Sequence, residues 1–120
     1  MEKKIMIIDD DHQARETITQ ELYKFGYTVE SIPEFTDIYS ALNRFKPKLF
    51  ILDINLKGAD GRTLCNEIKA NLSYAHIPII LLTTLSYAQI GEIDCKADAI
   101  LGKPIHIQNL LRAIDGLITV

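Results

Sequence analysis

Six side chains suited to phosphoryl chemistry stand at or just after the ends of apolar runs. Asp9 and Asp10 follow KIMII, residues 4–8. Asp53 closes LFILD, residues 49–53, and Asn55 comes two positions later. Thr83 ends the run that begins at Ile79, and Lys103 stands immediately before Pro104. Three carboxylates gathered in one mouth repel, at about 1–4 kcal/mol for a pair 4 Å apart in surface-like dielectrics. A hard divalent cation removes that penalty, and oxygen ligands in an open, wet mouth suit Mg²⁺, which keeps several of its waters. The metal polarises an incoming phosphoryl oxygen. Lys103 neutralises another as a point charge, and the Thr83 hydroxyl donates to a third. Asp53 is then the carboxylate nucleophile, forming an aspartyl phosphate.

These residues meet only if the elements around them place them at one edge. Leu49–Asp53 is apolar without alternation, the pattern of a strand buried on both faces. Residues 4–8 and 79–83 read the same way. Between them the apolar spacing turns helical. Ala14, Ile18, Leu22 and Phe25 follow an N-cap at Asp11, and Gly26 is the stop. Tyr27–Ile32 has the mixed pattern of an edge strand. Pro33 opens a second helix, with Phe35, Ile38, Leu42 and Phe45 on one face, and Pro47 ends it. Asp60 caps a third helix over residues 61–72, with Leu64, Ile68 and Leu72 inward, and Asn55–Gly61 reads as loop. A short helix is expected over Tyr87–Ile93, weakened by Gly91. A brief strand, Ala99–Leu101, precedes a last helix opened by Pro104, with Ile107, Leu110, Leu111, Ile114 and Leu117 on its buried face. Five β-α repeats imply parallel strands joined by right-handed crossovers. The expected fold is α/β: a flavodoxin-like, doubly wound five-stranded sheet in order 2-1-3-4-5, with its switch point between strands one and three. That order brings Asp9 and Asp10 beside Asp53.

The chain has 120 residues, 48% of them apolar, which fits one domain with one core over 1–120. A net charge of −3 argues against a broad surface for nucleic acid or anionic membrane. Cys65 and Cys95 have no metal spacing, and Cys65 falls on the inner face of the third helix as a buried, reduced thiol. No run reaches membrane-spanning length and no secretory pattern precedes the first strand, so the expected location is cytoplasmic. His12, His76 and His106 are scattered and read as surface or helix-end residues. Tyr87 is expected to be partly buried.

Four motifs in register, IIDDD, LFILD with Asn55, LLT ending at Thr83, and LGKP ending at Pro104, resemble the receiver domain of bacterial two-component response regulators. The likeness covers the whole chain. It implies a CheY-like sheet with Asp53 as the phosphorylation site. It further implies Mg²⁺ held by Asp10, Asp53 and the Asn55 carbonyl, with Asp9 acting through metal-bound water. Thr83 and Lys103 would hold the phosphoryl group, and the Lys103–Pro104 peptide would be cis. The implied partners are a sensor histidine kinase or phosphotransfer protein, and an effector protein or fused output domain. A phosphorylation-dependent dimer is also open. The chain departs from the pattern at Lys57, where proline is usual, and at Thr84, where Ala or Gly is common. The Thr83–Lys103 segment is slightly short, and Ile100 stands where many receivers have Tyr or Phe. With an aliphatic side chain expected to be buried there, the switch is expected to act through residues 84–95. The partner surface is expected on the short helix and the exposed face of the last one.

Rival functions fit less well. A flavin carrier needs a phosphate-binding loop after strand one, where Asp9, Asp10, Asp11 and His12 would repel phosphate. A Mg²⁺-dependent phosphohydrolase often carries a second acid two residues after its nucleophile, where this chain has Asn55. A receiver-like interaction module that signals without phosphorylation is the remaining alternative, and the intact acid set argues against it.

Overall fold

The computed structural model describes residues 3–32 and 37–118. Its elements in chain order are β1 (Lys4–Ile8), α1 (His12–Lys24), β2 (Thr28–Ile32), α2 (Ile38–Phe45), β3 (Leu49–Asp53), β4 (Asn55–Leu56), β5 (Ala59–Asp60), α3 (Gly61–Ala70), β6 (Ile79–Thr83), α4 (Tyr87–Ile90), β7 (Ala99–Gly102) and α5 (Ile107–Leu117). Five parallel strands form one sheet in the order β2-β1-β3-β6-β7, the 2-1-3-4-5 order expected from the β-α alternation. The doubly wound reading therefore holds.

Side-chain alternation splits the core in two, because successive residues of a strand point to opposite faces. Ile5, Ile7, Leu49, Ile51, Ile80 and Leu82 pack with Ile18 and Leu22 of α1 and Leu110, Leu111 and Ile114 of α5. Met6, Ile8, Phe50, Leu52, Ile79 and Leu81 pack with Ile38, Ala41 and Leu42 of α2 and Leu64, Cys65 and Ile68 of α3. Both faces are covered, so β1, β3 and β6 are almost wholly buried. β2 is an edge strand with no fully buried residue.

Local signals set most boundaries. The Asp11 carboxylate accepts from the Gln13 and Ala14 amides and caps α1, and Gly26, at φ +88°, turns the chain after it. Asp60 caps α3. The Lys103–Pro104 peptide is cis. The Cys65 thiol is buried and pushed up to about 11, first by burial and then by Cys95.

Several expectations are corrected. The second helix runs from Ile38, while Pro33 and Phe35 lie outside the described residues. Residues 55–60, expected as loop, form a hairpin in which Asn55 pairs with Asp60 and Leu56 with Ala59. Gly58, at φ +80°, supplies the positive dihedral that its two-residue turn needs. α3 stops at Ala70, and Leu72 is 94% exposed rather than inward. The last helix starts at Ile107, three residues after Pro104. α4 is a single turn, Tyr87–Ile90, closed by a Ser86–Gln89 capping box and burying no residue. Tyr87 is accordingly almost fully exposed. Ile100 is exposed too: Ala99 and Leu101 pack on the α1–α5 side, so Ile100 faces the side of α4, which is too short to cover it.

Candidate functional site

Strand register assembles the site. Ile8 pairs with Leu52, so Asp9 and Asp53 each stand one residue beyond a paired position on adjacent strands. Thr83 pairs with Gly102, and Lys103 follows. On the alternation pattern, residues 9, 53 and 103 continue the rows that face α1 and α5, whereas Thr83 continues the row that faces α2 and α3. The contacts agree. Lys103 Nζ donates to Asp9 Oδ2 at 2.9 Å and to Asp53 Oδ2 at 3.1 Å. Asp9 and Asp53 are buried, and Thr83 is buried apart from this trio, its hydroxyl accepting from the Leu85 amide at 2.9 Å.

The remaining oxygens are also held. Asp9 Oδ1 accepts from the Asp11 amide at 2.9 Å, and Arg15 Nη1 donates to the Asp9 carbonyl at 2.7 Å. Asp53 Oδ1 accepts from the Asn55 amide at 3.2 Å. Asp10 is exposed and turned toward the hairpin, where its Oδ2 accepts from the Lys57 amide. Burial, and then the charge of Asp9, push the Asp53 carboxyl above the ordinary carboxylate range, against the opposing pull of Lys103 and the Asn55 amide. Burial works to lower the Lys103 ammonium, but its bonds to Asp9 and Asp53 outweigh it and hold it above the usual lysine value.

The structure thus brings Asp9, Asp53 and Lys103 together and sets Asp10 and Thr83 on either side. Among the described residues no three acids, histidines or cysteines converge as a ready-made metal cage. The donor chemistry nonetheless suits a hard cation. Two carboxylates share one ammonium, which leaves one negative charge uncompensated when Asp53 is ionised, and the exposed acid Asp10 stands beside these oxygens. His12 lies outside this set, its Nδ1 within 3.2 Å of Arg15 Nη2.

Two residues of the surrounding frame were not singled out from the sequence. A Cβ on Gly61 would stand 2.3 Å from the Asp53 carbonyl oxygen and 2.8 Å from Ile54 Cα. Gly61 is therefore the only residue type that fits against the backbone carrying Asp53. Arg62 is buried, its side chain paired with both Asp60 oxygens and with carbonyls of α4. The Asp-Gly pair at 60 and 61 was a visible turn signal. Nothing in spacing marked the arginine, because a charge on a helix pattern ordinarily faces water.

The family model for the response regulator receiver domain matches residues 5–115. The transcriptional regulatory protein GltR of Pseudomonas aeruginosa is 34% identical over 118 residues, 97% of this chain and 49% of its own length. The DNA-binding dual master transcriptional regulator RpaA of a Synechocystis strain is 30% identical over 96% of this chain and 48% of its own length. The chain spans about half the length of these curated relatives. The signal receiver domain of a signal transduction histidine kinase from Syntrophus aciditrophicus superposes with a TM-score of 0.87 at 27% identity, covering 98% of each chain. The chemotaxis protein CheY4 of Vibrio cholerae shares the fold at a TM-score of 0.86 and 22% identity, covering 98% of this chain and all of that one.

Proposed function

The chain belongs to the response regulator receiver domain family of two-component signalling, a family of phosphoacceptor signalling domains rather than enzymes of the usual kind, and from that membership we propose that Asp53 is the phosphoacceptor. One observation carries the assignment: Lys103 Nζ lies between Asp9 Oδ2 and Asp53 Oδ2 at 2.9 and 3.1 Å, at the mouth of the switch point. An Asp53 carboxylate oxygen forms the new O–P bond as the donor's P–N or P–O bond breaks, and imidazole or acetate leaves. Lys103, already in contact with the nucleophile, neutralises one phosphoryl oxygen. The Thr83 hydroxyl turns from the Leu85 amide to donate to another.

Asp9, Asp10, Asp53 and the Asn55 carbonyl are the groups that would hold Mg²⁺, which offsets phosphoryl charge when bound. A cation beside Asp53 fits the same scheme, since it favours the ionised nucleophile against the burial that raises this carboxyl. We further assign the phosphodonor to a sensor histidine kinase or phosphotransfer protein in the cytoplasm. The output is assigned to an effector protein or a fused domain, with residues 1–120 as one receiver unit.

Intact-mass measurement with acetyl phosphate and Mg²⁺ tests the assignment. Wild type gains one phosphoryl group and Asp53→Asn gains none. Equal labelling of both places the acceptor elsewhere, and no labelling of either favours a module that signals without phosphorylation.

A further inference from the structure

The crossover from β6 to β7 is tied to α3 by one polar row. Arg62, Asn66 and Lys69 are four and three residues apart, so they share a helix face. Arg62 Nη1 donates to the carbonyls of Gln89 at 2.6 Å and Ile90 at 3.0 Å. Asn66 Nδ2 donates to the Asp94 carbonyl at 2.7 Å, and its Oδ1 accepts from the Lys96 amide at 2.9 Å. Lys69 Nζ pairs with Asp98 Oδ2 at 2.8 Å, and Asp98 also accepts from the Ile79 amide. These clasps stand where a longer helix would have satisfied the backbone by itself.

Arg62 differs from the other two because it also grips the turn that backs onto Asp53. Its Nε and Nη2 grip the Asp60 carboxylate at 3.0 and 2.7 Å. Asp60 caps α3 through the Arg62 amide, and the Gly61 amide between them donates to the Ile54 carbonyl at 2.8 Å. The Gly61 backbone lies against the Asp53 carbonyl. A buried guanidinium without partners is very costly, so this link stays made. At the front of the crossover the only comparable tie among the described residues is the Leu85 amide on the Thr83 hydroxyl.

We propose that Arg62 is a positioning residue that sets where a change at Asp53 stops in the crossover: residues 84–88 respond and residues 94–98 stay fixed. This rests on Asp53 being the phosphoacceptor. When Thr83 turns to a phosphoryl oxygen, the Leu85 tie is the one given up. The chain behind it is then free as far as the next fixed point, the carbonyls of Gln89 and Ile90. The responding segment is therefore narrower than the 84–95 expected from sequence.

Amide hydrogen exchange on the whole chain tests this in wild type and Arg62→Gln, with and without beryllofluoride and Mg²⁺. Without the mimic, the variant exchanges at least threefold faster at Ile90, Gly91 and Glu92 and within threefold of wild type at Lys96 and Asp98. A smaller change at residues 90–92 overturns the proposal. With the mimic, wild type changes over residues 84–88 and not at Lys96 or Asp98. In the variant the change extends through Gly91–Ile93, and an unmoved boundary also overturns the proposal. Where Arg62→Gln does not fold, Arg62→Lys, which keeps the charge but loses the fork, carries the same comparison. If the mimic leaves the Asp53 and Asn55 amides of wild type unchanged, the phosphoacceptor assignment fails, while the comparison without the mimic still judges the hold of Arg62 on α4.

Discussion

At the strand ends, Asp9, Asp53 and Thr83 are carried on parallel backbone ladders and are 1%, 6% and 1% exposed. In the neighbouring crossover, residues 84–98, only Tyr87–Ile90 are helical, none of those four is buried, and the clasps come largely from side chains of α3. The mouth is held by backbone bonds that need a whole sheet to break. The crossover is held by a few individual contacts, each worth about 0.5–1.5 kcal/mol net, or more where a charge takes part. Chemistry that needs fixed geometry sits on the first, and a segment able to change conformation cheaply is made of the second.

Removing charge from the mouth separates the two regions most sharply. Lys103→Met leaves Asp9 and Asp53 facing each other without their shared cation, and the expected loss is about 3 kcal/mol near neutral pH. The loss shrinks on acidification. Burial and Asp9 already raise Asp53, and a raised carboxyl favours folding below its unfolded pKa and disfavours it as pH rises toward the folded one. In wild type the raised Lys103 ammonium acts at the other end of the scale, its contribution being lost as pH climbs through its elevated folded value. Denaturant melts from acid to neutral pH check this, and a pH-independent loss would remove the repulsion from the account.

Gly61→Ala strikes the joint between the regions. With a Cβ only 2.3 Å from a backbone oxygen, the expected loss is about 2 kcal/mol, with slower phosphorylation because the Asp53 backbone is displaced. Melting together with acetyl phosphate labelling rates reads both. Asn66→Ala touches the crossover alone. It removes two hydrogen bonds at a partly exposed site and is expected to lower stability by about 1 kcal/mol while leaving the labelling of Asp53 unchanged.

Acid should loosen the crossover through Asp60. Arg62 first, by its hydrogen bonds, holds that carboxyl below its ordinary value. A depressed carboxyl contributes stability that is complete above the unfolded pKa and is lost as pH falls through the folded one. Amide exchange at residues 90–92 is therefore expected to accelerate below the ordinary carboxylate range. Leu72→Ser, at an exposed position in neither region, is expected to change stability by less than about 0.5 kcal/mol in the same melts.

The amino-acid sequence by itself determined the strand order and the strand-end residues. A strand buried on both faces must be apolar throughout, so each polar residue that ends such a run announces the edge of the sheet. Asp11, Asp60 and Gly26 were legible for a similar reason, because a cap or a left-handed turn is satisfied within a few residues. What tertiary structure decided depends on neighbours distant in the chain. Asp9 and Asp10 follow the same strand, yet the carboxylate of Asp10 meets the Lys57 amide and that of Asp9 meets Lys103. Ile100 and Leu72 looked like core, and their exposure follows from how far α4 and α3 extend over them. Arg62 carried no distinguishing spacing. Its burial exists only because a carboxylate two residues away and two carbonyls from another element converge on it, and local periodicity carries no record of partners brought together by folding.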